Sequence, residues 1–233
     1  MATLNPSLVE ERPHSGGGSG APPFAGGGGD EGRPDFSFGD RLRRNRIGMA
    51  VALAPIAMVF VAFTSAYILR QGLGEDWRAM ELPNILWINT LILVASSFTL
   101  ELARRGLARE AALAQVPIVP GVAPVATASA PWLPITLVLG LGFLAGQWMA
   151  WSQLARQGMF ISSNPSSSFF YLMTGAHAIH LVGGVAALAY AAVTAVVSHA
   201  GERRRMVVDV TSWYWHFMAV LWIYIFALLQ FAK

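Results

Sequence analysis

The sequence predicts an all-α polytopic membrane protein, a bundle of five transmembrane helices with its N-terminus in the cytoplasm and its C-terminus outside. Three observations carry this. Charged residues make up only 12% of the 233 residues, against roughly 25% in soluble domains, and mean hydropathy is +0.49. Five stretches each supply the ~20 apolar residues that a helix needs to cross a bilayer core. The arginines stand in short clusters beside those stretches and favour one side. A net charge of +3 with a pI near 9.7 therefore reads as membrane topology and not as a nucleic-acid surface. The absence of cysteine excludes disulfides, thiolate metal sites and cysteine nucleophiles.

Residues 1–40 hold "PHSGGGSGAPPFAGGGGDEGRP" and no apolar run. They read as a disordered cytoplasmic tail without a cleavable signal, since so much Gly and Pro cannot bury a core. No strand precedes those glycines and no Lys-Ser/Thr follows them, so they are not a phosphate loop. The transmembrane domain is 41–233. Its first span, about 47–69, contains Pro55, which predicts a kink that neighbouring helices satisfy. The second is about 84–103. A cytoplasmic linker, 105–131, follows; its part "EAALAQVPIVPGVAPVATASAP" is apolar but broken by prolines. The third span is about 132–154, the fourth about 168–197 and the fifth about 209–231.

Arg41, Arg43, Arg44 and Arg46 precede the first span, Arg104, Arg105 and Arg109 follow the second, and Arg203, Arg204 and Arg205 follow the fourth. With five crossings all three groups fall on one side, which the positive-inside rule makes cytoplasmic. The other side has Arg70, Arg78, Arg156 and Lys233, partly offset by Glu75, Asp76 and Glu81.

The fourth span, "SFFYLMTGAHAIHLVGG" and its continuation, carries two histidines. At 100° per residue Thr174, His177, His180 and Gly184 share a face, and Gly183 and Gly184 admit a close neighbour. Asp209, Trp213, His216 and Val220 make a corresponding face on the fifth span, joined to the fourth by a short loop that makes the two antiparallel neighbours. Intramembrane ionisable groups face protein or water and find a partner. The histidines are therefore read first as neutral hydrogen-bonding members of a helix interface. A haem or metal site is the rival reading, and transient proton handling a third. Haem fits poorly, because His180 lies near the bilayer centre and His216 only ~10 Å from the cytoplasmic start of its helix. No second pair exists, with His14 in the tail and His199 at the edge.

Trp87, Trp132, Trp148 and Trp151 read as interfacial or packing aromatics. Glu101 can snorkel towards nearby arginines, and Gln147 and Gln153 can cap an inter-helix contact. Internal repeats, a channel filter and hydrolase or phosphate-loop signatures are absent.

These stretches resemble a known family. "SFFYLMTGAHAIHLVGG" resembles the Ser-x-Phe-Phe…Thr-Gly-x-His-x-x-His segment of subunit III of haem–copper respiratory oxidases. "DVTSWYWHFMAVLWIYIFALL" is similar to that family's last helix, with a Trp-Tyr-Trp-His-Phe core and a carboxylate four residues upstream. "LPNILWINTLILVASSFTL" and "FTSAYILR" resemble two earlier helices, so the likeness covers about 46–231. The resemblance implies the short five-helix bacterial form of an accessory subunit in a cytochrome c or quinol oxidase that reduces oxygen to water and pumps protons. Such a chain packs on subunit I, binds structural phospholipid and sustains assembly and turnover. It is non-catalytic and binds no cofactor or metal of its own. Haem and copper belong to partner subunits.

The implied partners are subunits I and II, with a small subunit IV or a supercomplex, in the bacterial inner membrane. The implied site set is His177, His180, Asp209, His216, Thr174 and Glu101 as buried polar groups; Gly183, Gly184, Trp213 and Trp215 for helix packing; and Arg46, Arg203, Arg204 and Arg205 towards lipid or the interface. Two departures stand out: Ile56 replaces a Glu found in many members, and Ala219 an Asp of mitochondrial-type members. A subunit of a nitric oxide reductase system shares the family and is the near alternative. A haem-binding membrane anchor of a respiratory dehydrogenase is the alternative from another class.

Overall fold

The computed structural model describes residues 37–73, 82–113, 131–197 and 201–231. Within them the chain forms five helices: α1 (Phe38–Leu73), α2 (Ile85–Leu113), α3 (Trp132–Arg156), α4 (Pro165–Val197) and α5 (Gly201–Phe231). All five are long and apolar enough to cross a membrane. Nearly all of the predicted tail, the stretch 114–130 of the predicted linker, and His14 and His199 lie outside the described residues.

The helices overrun their apolar spans. α1 begins at Phe38, α2 continues to Leu113 through the start of the expected linker, and α5 begins at Gly201. The apolar stretch measures only what lipid must cover, while the helix runs on until a capping group or a breaker ends it. Pro55 sits inside α1 without ending it.

Local chemistry sets several of these ends. Ser37 caps α1: its Oγ accepts from the Asp40 amide at 3.3 Å and donates to the Asp40 carboxylate at 2.8 Å. α4 opens with a reciprocal capping box. Asn164 Oδ1 accepts from the Ser167 amide at 2.9 Å, and Ser167 Oγ accepts from the Asn164 amide at 3.3 Å. Pro165 then occupies the first helical position, where no amide hydrogen is needed. α3 ends in a Schellman motif, with the Gly158 amide bonded to the Ala155 carbonyl and that of Met159 to Leu154, both at 3.1 Å. Gly158 has φ +77°, a left-handed conformation that suits glycine.

α2, α3, α4 and α5 close a ring in which each packs on the next and α5 returns to α2. α1 lies outside it, against α4 and α5. The register shows that the helices alternate in direction. Thr99 meets Thr136 at 2.8 Å and Asn89 meets Gly146, so α2 and α3 are antiparallel. Arg46 meets Asp209 and Tyr224 meets Thr64, so α1 and α5 run the same way. The arginine groups 41–46, 104–105 and 203–205 consequently meet at one end of the bundle. There Arg41 pairs with Glu202 at 3.1 Å, Arg204 with Glu110 at 3.6 Å, and Arg205 stacks on Phe38 at 5.0 Å.

Phe143, Phe170, Trp215 and Trp222 fill the ring, while Met58, Leu91, Phe98, Val138 and Ile179 point outward. So much outward apolar surface suits a lipid or subunit environment. With hydrocarbon outside, apolar burial offers little drive, and close packing and hydrogen bonds hold the helices together. Trp215 Nε1 donates to Ser96 and Trp222 Nε1 to Thr90, each at 3.0 Å, joining α5 to α2. Trp151 Nε1 donates to Thr174 at 3.1 Å between α3 and α4. The Tyr214 hydroxyl donates to the His180 carbonyl at 2.8 Å between α5 and α4.

Candidate functional site

Two groups of polar side chains stand out, one at the arginine-rich end and one in the ring. At the arginine-rich end, α1, α2 and α5 each bring charge to one place. Asp209 is buried and accepts a bidentate pair from Arg46, Nε to Oδ2 at 2.7 Å and Nη2 to Oδ1 at 2.6 Å. Arg104 reaches the same carboxylate at 3.4 Å and binds Glu101 through two nitrogens at 2.7 and 2.8 Å. Arg105 adds a bond to Glu101 at 2.7 Å, and His216 Nε2 lies 3.8 Å from that carboxylate. Arg104 thus bridges two carboxylates. A carboxylate near the membrane edge is tolerable because guanidinium groups satisfy its lone pairs in a matching fork.

Beside this cluster runs a groove of about 740 Å³, walled by Ala50, Leu53, Ala54 and Ala57 of α1 and by Trp213, Phe217 and Val220 of α5, with Arg46, Glu101, Arg104 and His216 at its polar end. It arises because α1 does not pack on α2 and because alanines on α1 leave space. A smaller hollow of about 190 Å³ adjoins it, lined by Arg46, Arg104, Arg105, Arg205 and Asp209 among others.

Within the ring, Asn89 of α2, Gln147 of α3 and His177 of α4 are 1%, 2% and 0% exposed. The His177 ring lies against Trp222 with centroids 5.2 Å apart and against Phe143 at 6.2 Å.

The predicted residues divide between these places. Asp209, Glu101, His216 and Arg46 converge at the arginine-rich end, and Glu101 does bond the nearby arginines. Arg203 donates to the Tyr190 hydroxyl at 3.1 Å instead of joining them. Thr174 and His177 face the ring interior. The expectation that the histidines hydrogen-bond across a helix interface takes a different form. His180 Nδ1 bonds its own helix at the Ala176 carbonyl, 2.7 Å, while its ring edges Phe60 of α1 at 6.2 Å. Among the described residues, His177 has no hydrogen-bond partner at either nitrogen. Of the expected α5 face, Trp213, His216 and Val220 line the groove and Asp209 the smaller hollow, instead of meeting α4, and Trp213 is 45% exposed. Tyr214 and Trp215 meet α4 in its place: a Cβ on Gly184 would lie 3.0 Å from Tyr214 and 3.4 Å from Trp215. At Gly183 the nearest atom would be 3.8 Å away. Sequence reasoning did not single out Asn89, Gly140 or Gly146; the polar Asn89 within an apolar span was the available signal.

No group of three His, Asp or Glu side chains among the described residues is placed to hold a metal ion. What the arrangement offers is a charged clamp, an amphipathic groove and a polar ring interior. Together with five alternating spans, these features define the class as a multi-pass helical membrane protein.

Comparison with known proteins narrows the class. The profile of the cytochrome c oxidase subunit III family matches residues 46–232, which includes all of α2 to α5 and α1 from Arg46 onward. A probable cytochrome c oxidase subunit 3 of Mycobacterium tuberculosis is 31% identical over 200 residues, covering 80% of this chain and 87% of that protein. A cytochrome c oxidase subunit 3 of Thermostichus vulcanus is 29% identical over 187 residues, covering 78% of this chain and 85% of that protein. A probable subunit 3 of Nocardia farcinica is 36% identical over 102 residues, a match that spans 44% of this chain and half of that relative. The chain belongs to the cytochrome c oxidase subunit III family.

Proposed function

We infer that this chain is the accessory subunit III of a terminal oxidase in aerobic respiration, part of a haem–copper oxidase complex in a bacterial inner membrane. The observation that carries this is the family match along all five helices. The chain packs beside catalytic subunit I in a complex that includes subunit II, and it holds no redox centre. The outward apolar faces supply the packing surface. The groove between α1 and α5 takes one phospholipid: alanines and Phe217 line the acyl chain, and Arg46 and Arg104 stand where a phosphate would lie. The three arginine groups at one end support a cytoplasmic N-terminus.

The test is affinity purification from the native membrane. Haem–copper subunits I and II should co-purify, and phospholipid should remain bound after detergent exchange. Ala54→Phe, which fills the groove, should lower bound phospholipid while leaving the complex assembled. Co-purification with a nitric oxide reductase catalytic subunit, or a haem spectrum from this chain alone, would contradict the reading.

A further inference from the structure

We propose that Asn89, Gln147 and His177 enclose bound water that links α2, α3 and α4 inside the bundle. The site is separate from the charged cluster: Trp222, against which His177 lies, is thirteen residues along α5 from Asp209, ~20 Å at the helical rise.

The case begins with an accounting. Both polar side-chain atoms of each of the three residues are buried, and none has a hydrogen-bond partner among the described residues. Buried polar atoms in folded proteins are almost always paired, to protein or to ordered water. One amide without partners is unusual; two amides and an imidazole in one ring interior mark a shared need.

Nearby elements connect the three. Asn89 Oδ1 presses on α3, 2.3 Å from where a Cβ at Gly146 would be, and Gly146 precedes Gln147. Asn89 is followed by Thr90, which accepts from the Trp222 indole at 3.0 Å, and Trp222 packs on His177. Gln147 lies one turn from Phe143, the other ring against His177.

The neighbouring hydroxyls are already engaged. Thr90 donates to the Leu86 carbonyl at 2.8 Å besides accepting from Trp222. Thr174 donates to the Phe170 carbonyl at 2.7 Å and accepts from Trp151. His180 shows the local alternative, bonding back to the carbonyl four residues earlier at 2.7 Å. The two aromatic rings hold His177 where that solution is not used. Water fits the inventory that is left: an imidazole offers a donor and an acceptor, each amide offers both, and a buried water uses two to four such partners.

A density map of the intact complex, at a resolution that shows ordered water, tests this directly. The expected result is water density within hydrogen-bond distance of a His177 nitrogen and of the Asn89 or Gln147 amide. That density should be lost in the assembled triple variant Asn89→Leu, Gln147→Leu, His177→Phe. A wild-type map in which the three side chains bond directly to one another, or with no density among them, overturns the proposal. The wild-type map decides the matter even if the triple variant fails to assemble.

Discussion

Gly146 shows how tightly single residues govern this bundle. A Cβ there would fall 2.3 Å from Asn89 Oδ1 and 2.9 Å from its Cγ, so α2 and α3 must part or the amide must turn. Gly146→Ala should therefore destabilise by about 1–3 kcal/mol, the usual range for overpacking, read as a lower unfolding midpoint in detergent. Gly175→Ala is the control: nothing lies within 4 Å of its Cβ position, and a helix gains roughly 0.5–1 kcal/mol when Ala replaces Gly. Equal effects at the two sites would contradict the packing. Such differences were not legible in the sequence. Gly183 and Gly184 stand side by side in an apolar run, yet only Gly184 meets large rings closely. Gly140, which would meet Trp215 at 2.7 Å, carries no mark in the sequence. Which face a small residue occupies depends on a neighbouring helix that periodicity does not name. The charges were easier: a carboxylate in an apolar span needs a cation, so Asp209 and Glu101 could be singled out, although Arg46 as Asp209's partner could not.

At the scale of elements, the clamp between Arg46 and Asp209 ties α1 to the ring. Among the described residues α1 packs on α4 and α5, through Phe60 against His180, Tyr67 against Phe169 at 5.7 Å, and the Tyr224–Thr64 hydrogen bond at 2.9 Å. Asp209→Asn leaves Arg46 and Arg104 without their shared carboxylate. Breaking a buried pair costs 3–5 kcal/mol, but the Arg46 side chain is 40% exposed and solvent screens it, so the expected loss is about 1–3 kcal/mol. It should show first as easier proteolysis of α1 near the arginine-rich end, with α2 to α5 still folded. Uniform loss of all five helices would contradict a local clamp. The spans themselves were legible because hydropathy reports lipid contact directly. The helix ends were less so, since α2 runs through charged sequence to Leu113, beyond what any apolar count sees.

For the whole molecule, alternation of the helices puts the three arginine groups together, and we propose from the positive-inside rule that this end is cytoplasmic. Reporter fusions after Val119 and Glu202 should give cytoplasmic signals, and fusions after Ala79 and Pro165 external ones. A cytoplasmic signal after Ala79 would contradict this orientation. The central claim is that the chain supports a catalytic neighbour without carrying electrons. Its polar groups fit that role: the charges at the arginine-rich end bond one another, and His180 bonds its own helix. Packing of this kind restricts local opening in a neighbour, so its loss should shorten working life before it slows chemistry. The most direct measurement is oxygen consumption by the complex with this subunit removed, followed over many turnovers alongside haem and copper content. The account predicts unchanged haem and copper, a substantial initial rate and a faster decay of activity. Loss of a metal centre in proportion to this chain, with subunit I intact, would contradict it.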